Sequence, residues 1–254
     1  MITIAYILGS TRSGTSALRN ALVETRYFGY GEGHLVPVLS DIIQSVLHHK
    51  TEGLGATVSG NGLHNMNPHE ILRHLFRGYE LYFSGQIGSE FLVDKTPTIT
   101  PIRMAPDLNA FHQNPRFIHC TRRHLDNVQS KRKKFPDQPF RQQCREWSDC
   151  NLAWLDVKER LDGNFLAFDF HDLVSDPAQI AVQVGEYLDL NADEIAAFSA
   201  YLIAKRPQAN PDRDLMQFLK LSEMDWTDEE KQIFTNICSP VGEKLGYSME
   251  SYYA

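Results

Sequence analysis

Residues 8–18 read L-G-S-T-R-S-G-T-S-A-L. Gly9, Gly14 and the hydroxyl of Ser16 fall where a phosphate-gripping loop, G-x-x-x-x-G-K-[ST], carries them. Thr15 stands where that loop has its lysine, and Arg12 has entered the loop instead. In a strand–loop–helix, backbone N–H groups of the loop and helix start converge on one anion, and glycine lets the backbone come close. The usual lysine reaches the β- and γ-phosphates of a triphosphate while the Ser/Thr holds Mg²⁺. Arg12 instead offers a planar fork for two oxygens of one group. Arg12, Ser13, Gly14, Thr15 and Ser16 are therefore the first candidate anion cradle. A single phosphate with a neighbouring transferable anion suits it better than a metal-bound triphosphate. The bland alternative, a Gly/Ser turn, is disfavoured by the strong strand before the loop and the amphipathic helix after it.

A second candidate lies in 116–135, R-F-I-H-C-T-R-R-H-L-D-N-V-Q-S-K-R-K-K-F. Arg122 falls at the end of a strand, and Ser130 follows eight residues later in the next helix. The carboxyl ends of parallel strands are where such sheets bind ligands, so this pair can hold a second phosphate. Arg116, Arg122, Arg123, Lys131, Arg132, Lys133 and Lys134 crowd this segment of a chain whose net charge is −7. That crowding points to a local anion site; the run Lys131–Lys134 alone reads as a solvated helix face.

The elements that must position these residues alternate. Apolar, β-rich runs at 2–8, 90–94, 116–121 and 164–169 read as strands. Helical patterns occupy 15–27, 37–49, 68–83, 100–112, 124–134, 140–161, 177–188, 192–204 and 227–245. Residues 51–67, rich in Gly and Asn, read as a loop. The predicted fold is α/β: a P-loop-like parallel sheet of four or five strands flanked by helices, with a helical C-terminus. The whole chain, 1–254, reads as one domain, and 33–90 as a helical insertion walling a substrate pocket.

Composition narrows the class. With 254 residues, 42% hydrophobic and 22% charged, the chain is an ordinary globular protein. No stretch approaches the roughly 20 apolar residues of a membrane span, and the acidic balance disfavours nucleic-acid binding. The start M-I-T-I-A-Y-I-L reads as a core strand and not as a signal peptide. Cys120, Cys144, Cys150 and Cys238 form no C-x-x-C pair, which suits a reducing, cytoplasmic setting. The histidines have no metal-ligand spacing, so no metal is expected.

Two phosphate sites, one built on an arginine-modified loop, are what 3′-phosphoadenosine-5′-phosphosulfate (PAPS) requires. G-S-T-R-S-G-T-S resembles the 5′-phosphosulfate loop of the sulfotransferase family, in the arginine version of tyrosylprotein and several bacterial members. R-R-H-L-D-N-V-Q-S resembles its 3′-phosphate motif. F-D-F-H-D-L-V-S-D-P at 168–177 is similar to the segment Y-E-D-L-x-x-x-P, and 225–247 to the common C-terminal helix. The chain departs at 94–97, where D-K-T-P replaces the K-T-H motif of cytosolic members.

The resemblance implies direct transfer of a sulfuryl group to a hydroxyl or amine, with adenosine 3′,5′-bisphosphate leaving. It gives Arg12 the bridging oxygen of the leaving phosphate, where charge develops. It gives Lys95 the moving sulfuryl oxygens. G-Y-G-E-G-H-L-V-P at 29–37 is similar to the G-E-x-x-x-x-P stretch of tyrosylprotein sulfotransferases, which makes Glu32 the candidate base and His34 its reserve. Phe170 is the candidate adenine wall, and Lys220 or the cations of Lys205–Arg213 further phosphate contacts. The acceptor is expected to be a small molecule; oligomeric state is not addressed by the sequence. Two competing readings are a P-loop small-molecule kinase, against which Thr15 counts, and a non-catalytic nucleotide-binding protein.

Overall fold

The first strand, β1 (Thr3–Leu8), is buried along its whole length, as an unbroken apolar run requires of a strand covered on both faces. It pairs in parallel with β2 (Phe91–Lys95) and with β3 (Pro115–Thr121), and β4 (Leu166–Asp169) adds beyond β3. The order is β2-β1-β3-β4, the expected parallel α/β sheet with four strands. All carboxyl ends therefore lie along one edge. The structure is a computed structural model describing residues 1–53, 62–205 and 218–254.

Around the sheet run α1 (Thr15–Leu22), α2 (Val36–Thr51), α3 (Pro68–Ile87), α4 (Ile99–Phe111) and α5 (His124–Lys134). They are followed by α6 (Phe140–Val157), α7 (Phe170–Ser175), α8 (Pro177–Leu188), α9 (Ala192–Ala204) and α10 (Asp228–Lys244). Alternation along β1 divides the core. Ile4, Tyr6 and Leu8 pack with α2, α3, α4 and α6, whereas Ala5 and Ile7 pack with α1, α8 and α9. A third apolar cluster joins α5, the far side of α6 and α10. Caps fix several ends. Asn67 accepts the His69 N–H to open α3, and capping boxes at Asn191/Glu194 and Thr227/Glu230 open α9 and α10, each cap worth about 1 kcal/mol.

The helix expected over 68–83 runs on to Ile87, and a short helix, Gly62–Asn65, lies inside the segment 51–67 expected to be a loop. There are three further differences. α1 stops at Leu22, short of Tyr27, because Thr25 turns its hydroxyl onto the Leu22 carbonyl at 2.6 Å. The chain then runs beside β2, with Phe28 N–H on Phe91 O at 2.9 Å and Val93 N–H on Phe28 O at 2.8 Å. A Cβ at Gly29 would lie 1.9 Å from the Val93 carbonyl oxygen, so only glycine fits this close approach. The outcome matters: residues 30–34 are delivered to the carboxyl end of β2. Second, α6 ends at Val157 and continues as a 3-10 turn over Lys158–Leu161. Third, the unforeseen α7 follows β4 directly, capped by Asp169 on the His171 N–H at 2.7 Å.

Candidate active site

The loop between β1 and α1 is bonded on several sides. Gly14 has φ 96, and a Cβ there would lie 2.6 Å from Phe170 Cδ2, so glycine lets the aromatic ring of α7 sit against the loop. Arg12 is also left-handed, with φ 72, a conformation costing a side-chain-bearing residue roughly 1–2 kcal/mol and kept only where neighbours enforce it. They do so here. Arg122 Nη1 donates to the Arg12 carbonyl at 3.2 Å, and Asn127 Nδ2 donates to the Thr11 carbonyl at 3.0 Å. Ser13 turns inward, its hydroxyl 2.8 Å from Ser10 Oγ and 3.3 Å from Asn127 Nδ2. It therefore stiffens the loop from within and does not line the cavity. Arg12 Nε donates to Ser130 Oγ at 3.2 Å, which joins the two motifs read separately from the sequence.

A cavity of about 420 Å³ opens over this loop, a size typical of small-ligand sites. Arg12, Gly14, Thr15, Ser16, Arg122 and Phe170 line it together. Arg122 lies over the Phe170 ring, 4.4 Å from its centre. Among the described residues the lining carries four cations, Arg12, Arg122, Lys134 and Lys205, against one carboxylate, Glu32. Burial lowers the pKa of Arg12 and of Arg122 from its ordinary value, yet guanidinium groups stay protonated in proteins. Partly desolvated cations facing a shared space favour an anion between them.

Glu32 enters this cavity from the segment beside β2. Its Oε1 accepts from Lys95 Nζ at 2.6 Å and its Oε2 lies 3.1 Å from His34 Nε2. Lys95 also donates to Ser16 Oγ at 3.2 Å, and its side chain is only 3% exposed. The hydrogen bond from Lys95 holds the Glu32 carboxyl below the usual range, with burial opposing it. Glu32 is thus an ionised acceptor already paired with a cation. His34 does not line the cavity; its backbone N–H is fixed to Thr96 Oγ1 at 2.9 Å. Behind them, burial raises the Asp94 carboxyl to about 6, with His34 and Lys95 pulling the other way.

Other expectations fare unevenly. Lys220 is not brought to the cavity: its Nζ pairs with Glu223 at 3.0 Å. Of the segment Lys205–Arg213, only Lys205 lies within the described residues, and it does line the cavity. The crowded basic segment separates into different roles. Arg123 is fully buried and holds Ser248 O at 2.9 Å and Leu219 O at 2.7 Å. Lys131 is fully buried too, contrary to a solvated face, while Arg132 pairs with Glu230 at 2.9 Å. The sequence reading missed the wall from α9, where Tyr201 and Leu202 line the cavity together with Asn20 of α1. No cluster of His, Cys, Asp and Glu suited to a metal ion occurs among the described residues. No helix among them is long and apolar enough to cross a membrane.

Known proteins share the family profile and the fold. The sequence profile of the sulfotransferase family matches residues 5–194. The chain has no match among curated proteins. Solved structures share the fold. The sulfotransferase domain from the Synechococcus PCC 7002 olefin synthase superposes with a TM-score of 0.62 at 22% identity, covering 97% of this chain and 95% of that one. The sulfotransferase domain from the curacin biosynthetic pathway gives 0.54 at 18% identity, covering 98% and 99%. Sulfotransferase STF9 from Mycobacterium avium gives 0.59 at 13% identity, covering 97% and 78%. Because the family profile matches most of its length, residues 5–194, the chain belongs to the sulfotransferase family.

Proposed function

We propose that the protein moves a sulfuryl group from 3′-phosphoadenosine-5′-phosphosulfate to a hydroxyl or amine of a small-molecule acceptor by in-line transfer. The observation that carries this reading is one cavity lined by Arg12, Gly14, Thr15 and Ser16 at one strand end and by Arg122 at another. Two anionic handles on one nucleotide call for two cations, and Arg12 and Arg122 both line this cavity. The 5′-phosphosulfate sits on the loop, and the 3′-phosphate on Arg122 with Ser130. Phe170, under Arg122 and against Gly14, offers a face to the adenosine.

In the transfer, the acceptor oxygen forms a bond to sulfur as the sulfur–oxygen bond to the 5′-phosphate breaks. Negative charge grows on that bridging oxygen, and Arg12 answers it electrostatically. The acceptor proton goes to Glu32, an ionised carboxylate on the cavity wall. Lys95 must then exchange Glu32 for the sulfuryl oxygens, since donor and base compete for the same ammonium. The acceptor approaches past residues 33–90, where Phe83 meets Tyr30 edge-on at 5.9 Å and Tyr82 is 66% exposed. A cytoplasmic setting is part of the reading, supported by four free, buried cysteines.

Calorimetry separates this from a kinase. With EDTA present, adenosine 3′,5′-bisphosphate is expected to bind more tightly than ATP does with Mg²⁺. Preference for ATP–Mg²⁺ would overturn the donor assignment.

A further inference from the structure

Lys131 keeps an ammonium where none of its side chain meets solvent. Such a charge is tolerated only with a partner. That partner is Glu146 of α6, whose Oε1 lies 3.3 Å from Lys131 Nζ, an ion-pair contact without the alignment of a directed hydrogen bond. Burial pushes the Lys131 pKa down and Glu146 pushes it back up.

The same Glu146 Oε1 accepts the Thr11 N–H at 3.3 Å. One carboxylate oxygen therefore links the buried cation to the loop backbone, one residue before Arg12. Thr11 is held on its other sides as well. Its hydroxyl donates to Pro97 O at 3.2 Å, and its carbonyl accepts from Asn127 at 3.0 Å. With the peptide planes on both sides of Thr11 fixed, its backbone dihedrals are set, and so is the plane that enters Arg12. The Arg122 bond to the Arg12 carbonyl fixes the next plane, and Arg12 is left-handed between them at φ 72. The splint is α5. Asn127, Ser130 and Lys131 follow at the i, i+3, i+4 spacing of one helix face. They hold the Thr11 carbonyl, the Arg12 guanidinium and Glu146 respectively.

We propose that Glu146, its charge matched in the core by Lys131, is a positioning residue that holds Thr11 so that Arg12 keeps its left-handed conformation with its guanidinium on the cavity. Neither touches the substrate. The proposal rests on the donor reading, with the 5′-phosphosulfate on this loop. A pair that only stabilised the fold would leave the 5′ end of the nucleotide bound as before.

Glu146→Gln alone leaves Lys131 buried without a counter-charge, and its misfolding would say nothing of Arg12. The test therefore compares Lys131→Met/Glu146→Gln with Lys131→Met/Glu146→Leu. Both remove the buried charge, but only glutamine can accept the Thr11 N–H. Calorimetry on each folded variant, as judged by circular dichroism, uses adenosine 3′,5′-bisphosphate and adenosine 3′-monophosphate. The preference for the bisphosphate is expected to stay within about threefold of wild type with glutamine and to fall about tenfold or more with leucine, the scale of one hydrogen bond linked to a charge. Affinity for the 3′-monophosphate is expected to be equal in the two. The same bisphosphate preference in both variants overturns the positioning role. A wild-type protein that binds neither nucleotide sinks the donor reading instead, and crystal structures of the two variants then decide. Arg12 left-handed with glutamine and relaxed with leucine upholds the role; an identical loop in both ends it.

Discussion

Arg122→Ala probes the second phosphate handle with little collateral damage to the fold. The fold-bearing contact at this position is made by the backbone, whose carbonyl accepts Trp147 Nε1 at 2.8 Å, and alanine keeps it. The guanidinium supplies three other things: the 3.2 Å bond to the Arg12 carbonyl, the 4.4 Å stack on Phe170, and the charge facing the cavity. The first two shape the loop and the adenosine wall for any adenine nucleotide, and together are worth about 1 kcal/mol, or roughly fivefold in affinity. The charge serves only a ligand with a 3′-phosphate. A charge-assisted contact contributes about 2–3 kcal/mol, which is roughly 30- to 150-fold. Calorimetry in EDTA at fixed ionic strength should therefore show adenosine 3′,5′-bisphosphate weakened about 100-fold or more, while AMP weakens about fivefold. Equal losses for both nucleotides, or a bisphosphate affinity within about threefold of wild type, would show that Arg122 does not read the 3′-phosphate.

Four further outcomes follow from the site. Gly14→Ala puts a Cβ 2.6 Å from the Phe170 ring at φ 96, so the melting temperature and the bisphosphate affinity should both fall, the latter about tenfold; unchanged binding would remove Phe170 from the nucleotide wall. Once an active acceptor is in hand, Arg12→Ala should lower kcat about 10²-fold, and normal turnover would take Arg12 out of the mechanism. The Glu32 carboxyl is held below 4.5, chiefly by Lys95. It is therefore ionised throughout pH 5.5–8, and kcat/KM should not fall across that range on its account. Glu32→Gln should lose transfer yet keep nucleotide binding, and an acid limb near pH 6 would take the base role away from Glu32. Asp94 is raised from 3.8 to about 6 by burial. The folded state binds its proton more tightly than the unfolded one, so stability declines as pH rises from about 4 to 6. Asp94→Asn should therefore stabilise the protein at pH 7 by on the order of 2–3 kcal/mol and do little at pH 4, as thermal melts at the two values would show.

Much of the architecture was legible because the signals were local. The apolar run 2–8, the glycines at Gly9 and Gly14 and the arginine at Arg12 lie within one short stretch, and strand–loop–helix geometry follows from their order. Arg122 was legible for the same reason, standing at a strand end. What escaped the sequence depends on contacts between distant residues. Arg122 and Arg123 are adjacent and identical in type, yet one faces the cavity and the other is sealed against Ser248 and Leu219. The wall from α9 was missed because hydrophobic periodicity marks a buried face without saying what it faces. The short α7 escaped because its start is set by Asp169 as a cap at the end of β4. Lys220 was expected at a phosphate only from the family resemblance, and nothing local to it separates that role from its pairing with Glu223 three residues on.

The most direct test of the nucleotide assignment is a crystal structure of the protein grown with adenosine 3′,5′-bisphosphate in the absence of metal. The 5′-phosphate should rest on the N–H groups at 14–16 beside the Arg12 guanidinium, and the 3′-phosphate against Arg122. A nucleotide bound the other way round, or outside this cavity, would contradict the account.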